Sequence, residues 1–289
     1  MNIKFVKGEC WDIPEDAEVC ITKYNSGKVV LKEFRYKKPK GSQKGKIKKN
    51  NRKNIDEYKS KKNINRSIKC KIRPLLENNF NGGKSEIFVT LTYSKNMDNF
   101  KQLVPDFDNF WKRITRKYKN RYRLACVYVK EMQQKRNSWH IHALIKDLDG
   151  NKLYIPNETM GLIWKNGFTS VSRVLSGFDL DYRQMNEEKK MEENFFIQNE
   201  RWNIKKIIDY MCKLKTKEGY IPSNGKLYGT KGGLRMPHKE VGIYKDFIQE
   251  NEKNLRITDD EMLKIIDKET NCIINHIHTQ TFIEQNKKK

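Results

Sequence analysis

Two histidines separated by one residue, His140 and His142, stand inside the apolar run Trp139-His140-Ile141-His142-Ala143-Leu144-Ile145. Side chains on a strand alternate faces, so the two imidazoles project the same way, about 6–7 Å apart along the chain, while Ile141, Ala143 and Ile145 face a core. Imidazoles presented on a rigid strand can close on one divalent cation. A pair of surface or core histidines is the plain alternative, but the chain has only 5 His and two of them share this strand. On the preceding segment Ala125, Val127, Val129 and Glu131 share a face by the same alternation. A hairpin across the gap from Glu131 to His140 would bring its carboxylate beside the imidazoles; otherwise Glu131 is a strand-end charge facing solvent. Two nitrogens and a carboxylate oxygen suit Mn²⁺ or Mg²⁺ and leave positions open for phosphate oxygens and water.

A further reactive group lies downstream. In Trp202–Lys217 the residues Ile204, Ile207, Ile208, Met211 and Leu214 recur at helical spacing, and Tyr210 falls off that stripe. Lys206 and Lys213 stand one turn before and one turn after it on the helix surface. A phenol near pKa 10 is about 0.1% ionised at neutral pH, so using it as a nucleophile costs roughly 4 kcal/mol. Neighbouring ammonium groups and a metal would lower that cost and offset charge in a phosphoryl-transfer transition state. Taken alone, Tyr210 reads equally as an ordinary, partly exposed helical tyrosine among 13.

These side chains need elements to position them. Ile87–Tyr93 alternates and is rich in β-formers, which predicts a strand with Thr90 and Thr92 on one face. Asp106–Tyr118 carries Phe107, Phe110, Trp111, Ile114 and Tyr118 near helical spacing and reads as an amphipathic helix. Leu124–Met132 and Ser138–Lys146 read as two further strands, joined through the exposed segment Gln133–Asn137. A short helix over Asn157–Lys165 and a fourth strand over Gly167–Val174 follow. The order β-α-β-β-α-β-α predicts an α+β domain, an antiparallel sheet with helices packed on one side, carrying N- and C-terminal extensions.

Ahead of this core, Ala17–Thr22 and Lys28–Phe34 flank Asn25-Ser26-Gly27, the pattern of a β-hairpin. After it, Tyr228-Gly229-Thr230-Lys231-Gly232-Gly233-Leu234-Arg235 reads as a glycine-rich basic loop, and Thr258-Asp259-Asp260-Glu261 as a capping box opening a C-terminal helix. The expected division is a hairpin element over 1–36, a basic arm over 37–80, the main domain over 81–240 and a helical extension over 241–289.

The order His140-x-His142, then Tyr210-x-x-Lys213 on a helix, preceded by a strand such as Phe88-Val89-Thr90-Leu91-Thr92-Tyr93, resembles the three motifs of HUH endonucleases. Within that superfamily it is most similar to the rolling-circle replication initiator (Rep) proteins of small plasmids and phages. The resemblance covers about Glu86 to Lys217. It implies a five-stranded antiparallel sheet related to the RNA-recognition fold and a Mn²⁺ or Mg²⁺ held by His140, His142 and Glu131. It further implies that Tyr210, with Lys213 beside it, attacks single-stranded DNA to leave a 5′-phosphotyrosyl link and a free 3′-hydroxyl. Initiators of the phage type carry two tyrosines on this helix, whereas Met211, Cys212, Lys213 and Leu214 follow Tyr210 here. A second protomer in a homodimer, or a water, would have to complete the cycle.

Composition agrees with a polyanionic partner. The 289 residues include 60 Lys or Arg against 36 Asp or Glu, a formal charge of +24. Sixteen of the basic residues fall between Lys37 and Arg73, where only Asp56 and Glu57 oppose them. Lys48, Lys49, Arg52 and Lys53 in this arm, with Lys206, Lys231 and Arg235, are the candidate DNA contacts. A solvated charge run is the alternative for the arm, and a flexible surface turn for the loop. The expected partners are single-stranded DNA and duplex origin DNA, with a host helicase and DNA polymerase, because no Gly-x-x-x-x-Gly-Lys-Ser/Thr segment offers an ATPase of its own. No apolar run approaches the roughly 20 residues that cross a bilayer, the N-terminus lacks a secretory pattern, and the cysteines are scattered, so a soluble, cytoplasmic chain with reduced thiols is expected. A conjugative relaxase, a single-tyrosine transposase and a non-catalytic nucleic-acid-binding protein are the competing readings.

Overall fold

The computed structural model describes residues 3–8, 12–34, 64–133, 136–175, 203–213, 226–251, 254–267 and 271–284. Lys48, Lys49, Arg52 and Lys53, with Trp202 and Leu214, lie outside them. In chain order the elements are β1 (Ile3–Lys7), β2 (Glu18–Lys23), β3 (Lys28–Phe34), α1 (Arg73–Asn79), β4 (Gly83–Tyr93) and α2 (Leu103–Tyr118). Then come β5 (Leu124–Gln133), β6 (Ser138–Asp147), α3 (Asn157–Trp164), β7 (Gly167–Val174) and α4 (Ile204–Cys212). β8 (Tyr228–Lys231), β9 (His238–Ile243), α5 (Tyr244–Asn251), β10 (Leu255–Asp267) and β11 (Ile273–Glu284) complete the chain. They form two compact units, one from Met1–Arg52 with Pro237–Lys289, the other from Lys53–Met236. No helix among the described residues is long and apolar enough to cross a membrane.

The central unit is a five-stranded antiparallel sheet in the order β7-β4-β6-β5-β8. This is the α+β architecture that the strand and helix patterns predict. Period-two alternation divides each strand between two faces. Ile87, Val89, Leu91 and Tyr93 of β4 join Ile141, Ala143 and Ile145 of β6 and Cys126 and Tyr128 of β5 on one face, under α2 and α3. There α2 buries Leu103, Phe107, Phe110 and Ile114.

The other face divides. At one end Phe88, Leu144 and Val127, which are direct cross-strand neighbours, are covered by Leu75 and Leu76 of α1 and by Ile204, Ile207, Ile208 and Met211 of α4. The structure thus adds a second, partial helical layer to the one-sided arrangement expected. Toward the other end this face carries Thr92 and His140, which are only half-buried.

The expected arm also ends earlier than residue 80. Residues 64–79 are helical, beginning with a π turn at Ile68–Ile72, and Ile72, Leu75, Leu76 and Phe80 are buried. Those apolar residues recur at three- to four-residue spacing amid the lysines, and burying them outweighs the local charge.

The second unit is a six-stranded antiparallel sheet in the order β1-β10-β11-β3-β2-β9. The predicted hairpin is present as β2 and β3, turning at Gly27 with φ +78. The C-terminal helix expected after Thr258 is instead the hairpin β10–β11. Thr258 caps no helix: its hydroxyl donates to the Thr281 carbonyl across that hairpin at 3.2 Å. Long-range pairing with β1 and β11 overrides the local capping signature. β11 then pairs with β3, so both ends of the chain build one sheet over a core of Val19, Ile21, Leu31, Phe247 and Phe282.

Candidate active site

Strand register assembles the first three groups. β5 and β6 pair so that Glu131 stands opposite His140 and Val129 opposite His142. On the other side of β6, Thr92 pairs with His140 and Thr90 with His142. Direct cross-strand partners share a face, so Glu131, His140, Thr92, His142 and Thr90 all project from the face that α4 partly covers.

The ligand atoms converge. His142 Nε2 lies 2.9 Å from Glu131 Oε2 and 2.9 Å from His140 Nε2, and His140 Nε2 lies 3.4 Å from the same carboxylate oxygen. Glu131, His140 and His142 are the one group of this kind among the described residues able to hold a metal ion. Cis donors around an octahedral Mg²⁺ or Mn²⁺, bound at about 2.1 Å, stand about 3 Å apart, and these spacings match. The Thr90 hydroxyl lies 3.1 Å from His142 Nδ1. With the proton on Nδ1 and donated to that oxygen, the Nε2 lone pair is left for a cation. Phe88 stacks flat on the His142 ring, centroids 5.6 Å apart and planes within 6°. The donor set, its spacing and the fixed ring orientation fit a divalent ion.

Helix α4 brings the phenol to this cluster. Asn203 opens it, its side chain accepting from Lys205 N at 2.8 Å, and the predicted stripe of Ile204, Ile207, Ile208 and Met211 is buried. An ion pair from Arg73 to Asp209, 2.6 Å, ties α4 to α1. Tyr210, off the stripe and 39% exposed, extends over Phe88 edge-to-face. Its hydroxyl donates to Glu131 Oε2 at 2.9 Å and lies 3.0 Å from His142 Nε2. Partial burial, then the adjacent Glu131 carboxylate, holds the phenol well above its ordinary pKa. A cation on the triad would neutralise the second of these causes.

The remaining candidates are not drawn into the cluster. Lys213 caps α4, its N–H bonded to the carbonyls of Asp209 and Tyr210. It lines a small pocket with Val129, Lys130, Met211 and Tyr228, and its ammonium makes no ion pair among the described residues. Lys206 is exposed one turn before Tyr210. Lys231 pairs with Cys126 in register, on the face opposite the triad, and its ammonium is 2.8 Å from Asp108. The supposed glycine-rich loop is therefore partly an edge strand, β8. Arg235 is exposed, its backbone held by the side chains of Asn78 and Asn79.

Thr90 and Phe88, which orient His142, have no role in the sequence reading. Alternation placed Thr90 and Thr92 together on a face, but only the register of β4 against β6 identifies what they touch.

No curated protein and no solved structure matches the chain significantly. Residues 86–183, a segment containing the triad but ending before Tyr210, match a family model described as a replication-associated protein of the ORF2 type. That similarity supports a replication role with DNA as the partner.

Proposed function

We propose that the chain is a rolling-circle replication initiator of the HUH type, which nicks and rejoins single-stranded origin DNA with Tyr210 as its one nucleophile. The observation that carries this reading is the Tyr210 hydroxyl within 3.0 Å of two of the three converging donor groups. A phosphodiester seated against Glu131, His140 and His142 would meet that oxygen directly.

Glu131, His140 and His142 would hold Mn²⁺ or Mg²⁺, which when bound supplies Lewis-acid polarisation of the phosphodiester. Thr90 and Phe88 keep the His142 ring in the ligating orientation. The Tyr210 proton leaves along its hydrogen bond toward Glu131, and the phenolate oxygen attacks phosphorus. The bond from phosphorus to the 3′-oxygen breaks as the bond to Tyr210 forms, and the 3′-oxygen takes a proton from water. The products are a 5′-phosphotyrosyl link and a 3′-hydroxyl that a polymerase can extend. One phosphoester replaces another, so the reverse attack rejoins the strand without ATP. Lys206 and Lys213, one turn to either side of Tyr210, supply positive charge along the path of the strand.

Covalent capture tests the reading. Incubation with labelled single-stranded oligonucleotides and Mn²⁺ should yield a protein–DNA band that survives denaturation and disappears with Tyr210→Phe or with a chelator. A band of equal intensity in Tyr210→Phe would overturn it.

A further inference from the structure

The row of side chains that ends at the triad begins with an exposed aromatic. In register, Phe168 of β7 pairs with Thr92 of β4, Thr92 with His140 of β6, and His140 with Glu131 of β5. All four therefore project from one face. Strands lie about 4.8 Å apart, so Phe168 stands about 10 Å from His140 along the row. It is 67% exposed. The residues flanking it on that face are small and polar: Thr92 is half-buried and Ser170 exposed. Helices α2 and α3 pack on the other face and α1 and α4 at the far end, so no described helix shields it.

The backbone holds this position closely. Gly167 precedes Phe168, and a Cβ there would come 2.3 Å from the Ser94 nitrogen and 2.4 Å from the Thr92 carbonyl oxygen. The entry to β7 is thus packed directly against the end of β4, where Ser94 N donates to Asn166 O at 3.0 Å. Exposed lysines flank that contact, Lys95 after Ser94 and Lys165 before Asn166. Lone surface aromatics are common and need no explanation. An aromatic in register with a candidate metal site, on an open polar sheet face beside two cations, has the parts of a single-strand platform: a flat ring for a base and charges for its phosphates.

We propose that Phe168 is the stacking platform for a base flanking the scissile phosphate, so that the open row from Phe168 to Glu131 sets where along a single strand the phosphate is presented to Tyr210. This rests on the reading of the protein as a single-strand nicking enzyme, and it adds the position of the substrate strand on the sheet. A β7 edge that instead pairs with a second copy of the chain is the competing use of the same surface.

The test is equilibrium binding of single-stranded oligonucleotides to the full chain with Mn²⁺, in the Tyr210→Phe background so that no bond forms. Phe168→Ala should weaken binding about 5- to 100-fold, and Phe168→Trp should retain it. An abasic nucleotide walked along the oligonucleotide should weaken binding at one position in the Phe168 chain and not in Phe168→Ala, a coupling that a merely structural role would not produce. Unchanged affinity in Phe168→Ala, or an abasic penalty that persists there, overturns the proposal. So does a dimer lost in Phe168→Ala with DNA affinity intact. Coupling at Phe168 without covalent capture on Tyr210 would uphold the platform and reject the nicking chemistry, so the two claims can fail separately.

Discussion

The Thr90 hydroxyl meets His142 Nδ1 at 3.1 Å across the β4–β6 ladder, placing the imidazole's other nitrogen 2.9 Å from both His140 Nε2 and Glu131 Oε2. The contact decides which nitrogen carries the proton. Thr90→Val keeps the shape of the side chain and removes the oxygen. Mn²⁺ affinity, measured by calorimetric titration, should fall about 10- to 100-fold, and Thr90→Ser should restore most of it. Equal affinity in Thr90→Val would mean that Thr90 does not orient the ring.

Phe88 joins the packing under α4 to the site, stacked on His142 and edge-on to Tyr210. It is 3% exposed, so Phe88→Ala should destabilise the chain by about 3–5 kcal/mol in urea unfolding. Because the same ring steadies His142, metal affinity should drop even where the variant is fully folded. A loss of stability without any loss of affinity would confine Phe88 to the core.

The triad was legible in the sequence because alternation is local: His140 and His142 had to share a face, and a hairpin was the one short route for Glu131. Tyr210 was legible for a similar reason, since the isoleucine stripe fixes which side of α4 is buried. Thr90 and Phe88 were not, because their partners lie some fifty residues away in register rather than in sequence. The C-terminal strands were misread as a helix on the strength of Thr258 and Glu261, a signature worth little against a full β-ladder. Nor does any local signal say that β11 pairs with β3 from the opposite end of the chain.

Lys130 supplies a pH dependence. It is 3% exposed, its ammonium stands over the Phe100 ring at 4.5 Å, and burial lowers its pKa to about 8 from 10.5. Between these two values the unfolded chain binds more protons than the folded one, so stability should rise with pH through that window and be flat below it. Melting temperatures from pH 7 to 10.5, taken without added metal, should show this rise, and Lys130→Met should remove it while raising the melting temperature at pH 7. Identical pH profiles for both chains would contradict a desolvated amine.

The central claim is that one phenol oxygen bonds to phosphorus beside the triad, and peptide mapping by mass spectrometry reads that bond directly. After incubation with a cleavable single-stranded oligonucleotide and Mn²⁺, followed by nuclease and protease digestion, the peptide containing Tyr210 should carry a nucleotide mass, with fragment ions placing it on that residue. A nicked oligonucleotide with Tyr210 unmodified and the adduct on another tyrosine, or on none, would contradict the account.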